Sequence, residues 1–567
     1  MKKTIGRALA LALALLMLCA AFASCDAGKK AEKDDTDTDS SDVVSDVTEE
    51  SEDSEKPEET EETVESEETA ETEDTEVTED TEETEDTEET EGAEDTEEID
   101  IYEDVRDINF GGRTFKILTY EAGVGWNPYI TQVDEGALVL NNAVVKRNNM
   151  VEKLLNIQID TFSVEQKKLV EHVYLTSTSN YVDYDLIFSY ATNTFDSLLP
   201  KGILYNVKKV DYMDLDAAWY NQSANQSFTI KNKQYFFVSD FSLPVQQRFA
   251  FLANLDMIEE YGALDHFEDV DTIYDLVKQG QWNIDNMQIM IKNVTSPEMH
   301  GDFNGTFGFV TNENSASRFL NNWGEDIVST EYIASLDTSR FVFNLNGAIL
   351  DSKVSRLTSL VHDDINVYFE PLYDPTNQYG HSKNDPDSDN PNDYYEIFKR
   401  QDAMFATFAS DPWLLATGAE YQDMHFAYLP YPKYTDQEDY ITVTHGGVMM
   451  FSGASTDISF SGAVTEALSA ASYEYMVDAY KKNYFEGRVI QDVEGIDMYQ
   501  IILDTAYYDV ARYIDPTGSD GAASLCRALG YFGFLIRSGQ TLDWRFGQHG
   551  TTITTAYTNL YVQLPEE

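Results

Sequence analysis

From Phe110 onward the chain alternates between two hydrophobic periods. TFKILTY (114–120) reads as a strand, and NNAVVKRNNMVEKLL (141–155) as a helix with Val144, Val151 and Leu155 on one face. IQIDTF (157–162), QKKLVEHVYLTS (166–177) and YDLIFS (184–189) follow as strand, helix and strand. This β-α-β-α-β succession predicts a parallel sheet with helices on its faces. Ligands of such sheets bind beyond the carboxyl ends of the strands. The segments after Tyr120 and after Phe188 are therefore the first places to look for a site.

The first 104 residues carry neither period. Residues 1–25 set Lys2, Lys3 and Arg7 before an apolar Ala/Leu run and then small residues, the layout of a secretory signal. Phe22-Ala23-Ser24-Cys25 resembles a bacterial lipobox, with Phe22 in place of the usual Leu. Cleavage there would leave Cys25 as the lipidated first residue. A plain signal peptide with an incidental Cys is the alternative. Residues 26–104 hold 40 acids against 4 bases, in repeats such as TEDTEETEDTEETE. So little apolar surface cannot offset chain entropy, and like charges extend the chain. A disordered acidic tether over 25–104 is expected, with a calcium sponge as the lesser alternative.

Charge narrows the partners. Residues 105–567 still hold 63 acids against 31 bases, so neither a nucleic-acid footprint nor a polybasic face for anionic lipid is present. No stretch after the signal reaches the ~18 apolar residues of a membrane span. Three Cys exclude a disulfide scaffold, and the flanking Leu525 and Leu529 mark Cys526 as a core residue.

The order of further segments carries a resemblance. GGRTFKIL opens the first strand, GALVLNNAVVKRNNMVEKLLNIQI supplies the first helix and second strand, and YDLIFSYATNTFDSLLPKGILYNV the third strand with a helix ending at Gly202. RFAFLANLDMIEEYGAL (248–264), GQWNIDNMQIMIKNV, MHFAYLPYPK (424–433) and EALSAASYEYMVDAY (466–480) follow. In this order the chain, from about 110 to 515, resembles bacterial extracellular solute-binding proteins of the maltose-binding type, the lipoprotein subunits of ABC importers in Gram-positive bacteria. The resemblance implies a two-lobed, type II periplasmic-binding-protein-like α/β fold, each lobe a mixed sheet flanked by helices. It places lobe 1 at 107–243 with 438–475, and lobe 2 at 244–437 with a C-terminal helical portion at 476–567. It also implies a lipid-anchored monomer on the outer face of the cell membrane that passes a solute to permease subunits, with no catalysis and no cofactor.

A sugar offers apolar C–H faces and a polar rim, so its site needs flat aromatic platforms beside Asp, Glu and Asn. Trp126 and Tyr129 follow the first strand, and Tyr190 and Asn193 the third. Asn312, Glu313 and Trp323 in FVTNENSASRFLNNWGED read as a loop resembling the family's second-lobe sugar contact. Trp413 in SDPWLL lies near the place of a stacking Trp in maltose-binding relatives, at a different spacing. Core packing is the ordinary alternative for each, and Trp282 reads as a packing residue at a helix start. Gly446 and Gly447 read as a bulge or a close backbone approach. Asp240 either lines a cleft or caps a turn.

NDPDSDNPNDYYE places Asp385, Asp387, Asp389, Asp393 and Glu396 at the spacing of a calcium loop, but Asn390 stands where Gly is expected, so a polar surface insertion is favoured. No HExxH, GxSxG or Walker pattern occurs. A secreted carbohydrate-active enzyme and a carbohydrate adhesin are the rival readings.

Overall fold

Strand β1 (Arg113–Tyr120) buries Phe115 and every residue from Ile117 to Tyr120, as a strand covered on both faces must. Helix α1 (Leu138–Leu155) turns Leu140, Val144, Arg147, Val151 and Leu155 inward, a stripe at helical spacing in which one position is a guanidinium. Strand β2 (Ile157–Val164), helix α2 (Gln166–Thr178) and strand β3 (Leu186–Tyr190) complete the predicted succession. The computed structural model describes residues 100–121, 129–130, 138–179, 181–190, 198–243, 249–292, 294, 305–370, 394–408, 415, 424–436, 438–444, 446–482, 486, 489–517, 525 and 529–564. All belong to one unit, Asp95–Glu567.

The remaining strands are β4 (Ala250–Asn254), β5 (Phe307–Asn312), β6 (Val328–Ile333), β7 (Thr338–Phe343), β8 (Val367–Glu370), β9 (Ala403–Phe408), β10 (Phe426–Leu429), β11 (Thr442–Val443), β12 (Gly447–Met450) and β13 (Ala506–Tyr507). Helices used below are α3 (Ile284–Ile291), α4 (Glu313–Asn322), α5 (Ala348–Val361), α6 (Ile458–Ser472), α7 (Phe534–Ser538) and α8 (Leu542–Gln563).

Two sheets organise the described body, in the orders β12-β3-β1-β2 and β10-β4-β9-β5-β8. In the first, β1 runs parallel to β2 and β3, β12 is antiparallel to β3, and a bridge from Met449 to Phe237 extends the sheet to the Tyr235–Val238 segment. In the second, β5 is parallel to β8 and β9, while β4 is antiparallel to β9 and β10. Both sheets therefore read second, first, third, antiparallel, fourth. Each antiparallel strand enters after the chain has visited the other sheet: β4 follows the first sheet's strands, and β12 follows the second's.

Three crossing segments lie side by side: the connections from β3 to β4 and from β10 to β12, which pass between the two sheets, and the segment around β13, which runs along them. The Phe249 amide donates to the Val443 carbonyl at 3.2 Å, and β11 pairs in parallel with β13, matching Val443 with Tyr507. The first crossing opens with a 3-10 turn over Asp240–Ser242. Ser239 caps that turn, and it ends on Leu243 in the left-handed region at φ 46°. Asp240 thus sits inside a capped turn.

The close approach expected at Gly446-Gly447 is present at Gly447, where an added methyl would overlap the Phe188 ring of the neighbouring strand. Trp282 is fully buried just ahead of α3, and its indole nitrogen donates to the Pro430 carbonyl at 2.8 Å, the packing role expected for it.

Candidate ligand cleft and hinge

β1 and β3 lead at their carboxyl ends into residues 122–128 and 191–197, and β8 and β9 into 371–393 and 409–414. Trp126, Asn193, Trp413, Asp385, Asp387, Asp389 and Asp393 fall in these stretches, outside the described residues, as do Cys25 and Cys526. Tyr190 closes β3 opposite Gly447, and its side chain also lies outside them. Glu396 belongs to a helix over Tyr394–Lys399 and pairs with Lys399 at 2.8 Å. Among the described residues no three His, Cys, Asp or Glu side chains are grouped to hold a metal.

Tyr129 is buried, with φ 49°, and its carbonyl and that of Ile130 each accept from Arg147 Nη2 at 2.9 Å. Arg147 also reaches Asn148 Oδ1 at 2.9 Å and lies over the Phe241 ring of the first crossing. Burial alone pulls its guanidinium down to about 9. This residue pins the segment leaving β1 to the first crossing, and sequence patterning gave it no distinction.

The segment read as a loop around Asn312, Glu313 and Trp323 is instead the end of β5 and the whole of α4. Asn312 caps α4 by accepting from the Ser315 amide at 2.8 Å, and Gly324 at φ 77° ends it. The helix is buried on all sides. Ala316, Phe319 and Leu320 face the apolar core, and the polar residues of the same helix face the crossings.

Glu313, at its first turn, accepts from Arg537 Nη1 of α7 at 3.1 and 2.9 Å. Trp323, at the far end, is 3% exposed and donates from Nε1 to the Pro432 carbonyl at 2.9 Å. It packs on Phe319 and Tyr434, so in this conformation it holds the second crossing and offers no open face.

The polar side of α4 joins all three crossings. Asn322 Oδ1 accepts from the Val443 amide at 2.8 Å. Arg318 lies over the Phe249 ring, 5.0 Å from its centroid, and 3.8 Å from Asp509, while Arg512 covers the same ring. Asn321 accepts from Arg318 at 3.3 Å and donates to Asp326 at 2.7 Å, and Tyr507 also donates to Asp326. Burial first, and the Asp509 charge second, push the Asp326 carboxyl up to about 8. These hinge residues come from segments as far apart in sequence as Phe249 and Arg512, and the Phe249–Val443 hydrogen bond together with the pairing of β11 with β13 brings them together.

No family model and no curated protein matches the sequence. Solved structures match the fold. The extracellular solute-binding protein from Staphylococcus aureus in complex with maltose is 13% identical, with a TM-score of 0.50, over 80% of this chain and 99% of that one. The cyclic alpha-maltosyl-1,6-maltose binding protein from Arthrobacter globiformis is 12% identical, with a TM-score of 0.48, over 79% of this chain and 100% of that one. An ABC substrate-binding protein from Listeria monocytogenes in complex with cycloalternan is 12% identical, with a TM-score of 0.45, over 80% and 99%. With the staphylococcal structure beside it, the strand order is that of the two-lobed, periplasmic-binding-protein-like α/β fold expected from the resemblance.

Proposed function

We propose that the chain is a solute-binding lipoprotein that captures a carbohydrate between its two lobes and delivers it to the permease of an ABC importer. One observation carries this reading: two sheets of identical strand order, each completed by a strand that arrives from the other, with three crossings side by side at one hinge. Lobes joined in this way can rotate about the crossings without breaking either sheet. A ligand touching both lobes then stabilises the shut state by its differential contacts. That the staphylococcal relative in fold was solved with maltose supports the sugar class.

The chain's residues divide the work. Arg147, Arg318 and Asn322 hold the crossings in register. Trp126, Tyr190, Asn193 and Trp413, at or just past strand ends, are our choices for stacking on and hydrogen-bonding to the sugar. Cys25 would carry the acyl anchor, and the acidic stretch that follows would hold the body away from the bilayer by self-repulsion. No helix of the described residues is long and apolar enough to cross a membrane.

The test is a thermal-shift screen of the full chain against mono- and oligosaccharides, with small-angle scattering on any hit. A bound sugar should raise the melting temperature by mass action and compact the particle. Shifts from peptides or polyamines alone would overturn the sugar class, and a sugar recovered cleaved would make the protein an enzyme.

A further inference from the structure

Helix α8 sets Thr551, Thr555, Asn559 and Gln563 four residues apart, so they share one face. That face, with Pro516 and with Pro200 from the 3-10 turn Leu199–Lys201, lines a cavity of about 570 Å³. The volume lies within the ~300–1,000 Å³ of ordinary small-molecule sites.

Three features set this wall apart. First, residues 546–564 contain no Asp, Glu, Lys or Arg, in a chain that is 25% charged. Second, the hydroxyls divide by direction. Thr554 and Thr558 bond back to the carbonyls of Gly550 and Thr554, at 2.9 and 2.7 Å. Thr551, Thr552, Thr555, Asn559 and Gln563, which line the cavity, make no side-chain hydrogen bond among the described residues. Third, Thr costs a helix roughly 0.5 kcal/mol per residue against Ala, so a Thr-rich exposed face carries a burden that folding alone does not require.

The location is separate from the strand ends. Lys201 of the proline-bearing turn lies over the Tyr174 ring, 4.4 Å from its centroid. Tyr174 is near the end of α2, which runs back from the carboxyl end of β2 to the amino end of β3. The cavity therefore opens between α8 and the turn at Pro200, on the side of the first sheet away from the carboxyl ends of its parallel strands.

We propose that this cavity is a second carbohydrate site, which takes a short stretch of neutral oligosaccharide. Free hydroxyls and amides spaced along one helix match the rim of a sugar chain, and the two proline rings offer flat apolar faces for its C–H surfaces. None of the residues lining the cavity is charged. The folded body's excess of acids disfavours anions, and cations have acid-rich surface elsewhere.

The experiment is isothermal titration of the full chain with four neutral probes: maltotetraose, cellotetraose, mannotetraose and xylotetraose. It compares wild type, Thr551→Lys/Thr555→Lys, and a control, Thr558→Lys, whose charge faces away from the cavity. Circular dichroism confirms that both variants are folded. The expected result is a binding event kept by wild type and control and weakened at least about tenfold in the double variant, the scale of lost neutral hydrogen bonds. No saturable binding by any probe at millimolar concentration would overturn the site. Binding that survives unchanged in the double variant would also overturn it, and would leave capture between the lobes standing.

Discussion

Glu313 and Arg537 stand 224 positions apart and meet with both carboxylate oxygens within 3.1 Å of one guanidinium nitrogen. Glu313 opens α4, where the helix amino end favours its charge, and Arg537 comes from α7 in the C-terminal portion. The C-terminal portion is thereby tied to the helix that follows β5.

The two ends of this pair should differ in consequence. Glu313 has a side chain only 4% exposed, whereas Arg537 is 27% exposed and has access to water when released. Arg537→Met should destabilise by about 2–3 kcal/mol, since it removes the counter-charge of a buried carboxylate. Glu313→Gln should cost about 1 kcal/mol, the loss of one charge-assisted bond against a hydrated partner. Urea midpoints of the two variants check the order, and equal losses would contradict it.

Gly447→Ala should destabilise by about 1–3 kcal/mol, the usual cost of overpacking, because its methyl would overlap the Phe188 ring at the centre of the first sheet. Gly447→Ala/Phe188→Leu should recover part of the loss, since the shorter side chain vacates the ring's place. A double variant no more stable than the single one would place the cost in the backbone.

Stability should fall as pH rises from about 4 to 8. Asp326 is held up to about 8 in the folded chain from an ordinary value of 3.8, and burial lifts Glu466 to about 7. In that window the unfolded chain has already released these protons while the folded chain keeps them, so each unit of pH weighs against folding. Asp326→Asn removes one titration. Its midpoint in urea should lie near wild type at pH 4 and above it at pH 8, and a constant offset would exclude Asp326 as the source.

Trp323→Phe should lower the melting temperature and leave sugar affinity unchanged, because the indole's hydrogen bond to Pro432 is structural and its faces are covered. Trp126→Ala should do the reverse. Affinities from titration with whichever sugar shifts the melting point separate the two.

Much of the fold was legible because the first lobe is built from segments whose buried faces are apolar: Ile117, Leu118, Val151 and Leu155 declare their elements directly. Helix α4 was not. Its buried face carries Ser315, Ser317, Arg318, Asn321 and Asn322, which read as surface because sequence patterning equates polarity with solvent. Two signals were nonetheless present: Asn312 as a cap and Gly324 as a stop. The hinge cluster was beyond reach for another reason. Arg318, Asp509 and Arg512 are brought together by the third crossing, and nothing in the spacing of three charged residues announces a parallel pair of two-residue strands. Trp323 reads as a loop residue in the sequence, yet the Gly324 that follows it marks the end of a helix.

The antiparallel strand in each sheet bears on how the protein is made. β3 emerges from the ribosome long before β12, its partner, and waits on the order of ten seconds or more at ordinary synthesis rates with one edge unsatisfied. Neither half can be cut free and expressed alone without losing an interior strand. A nascent chain of this kind completes its first sheet only once β12 has left the exit tunnel.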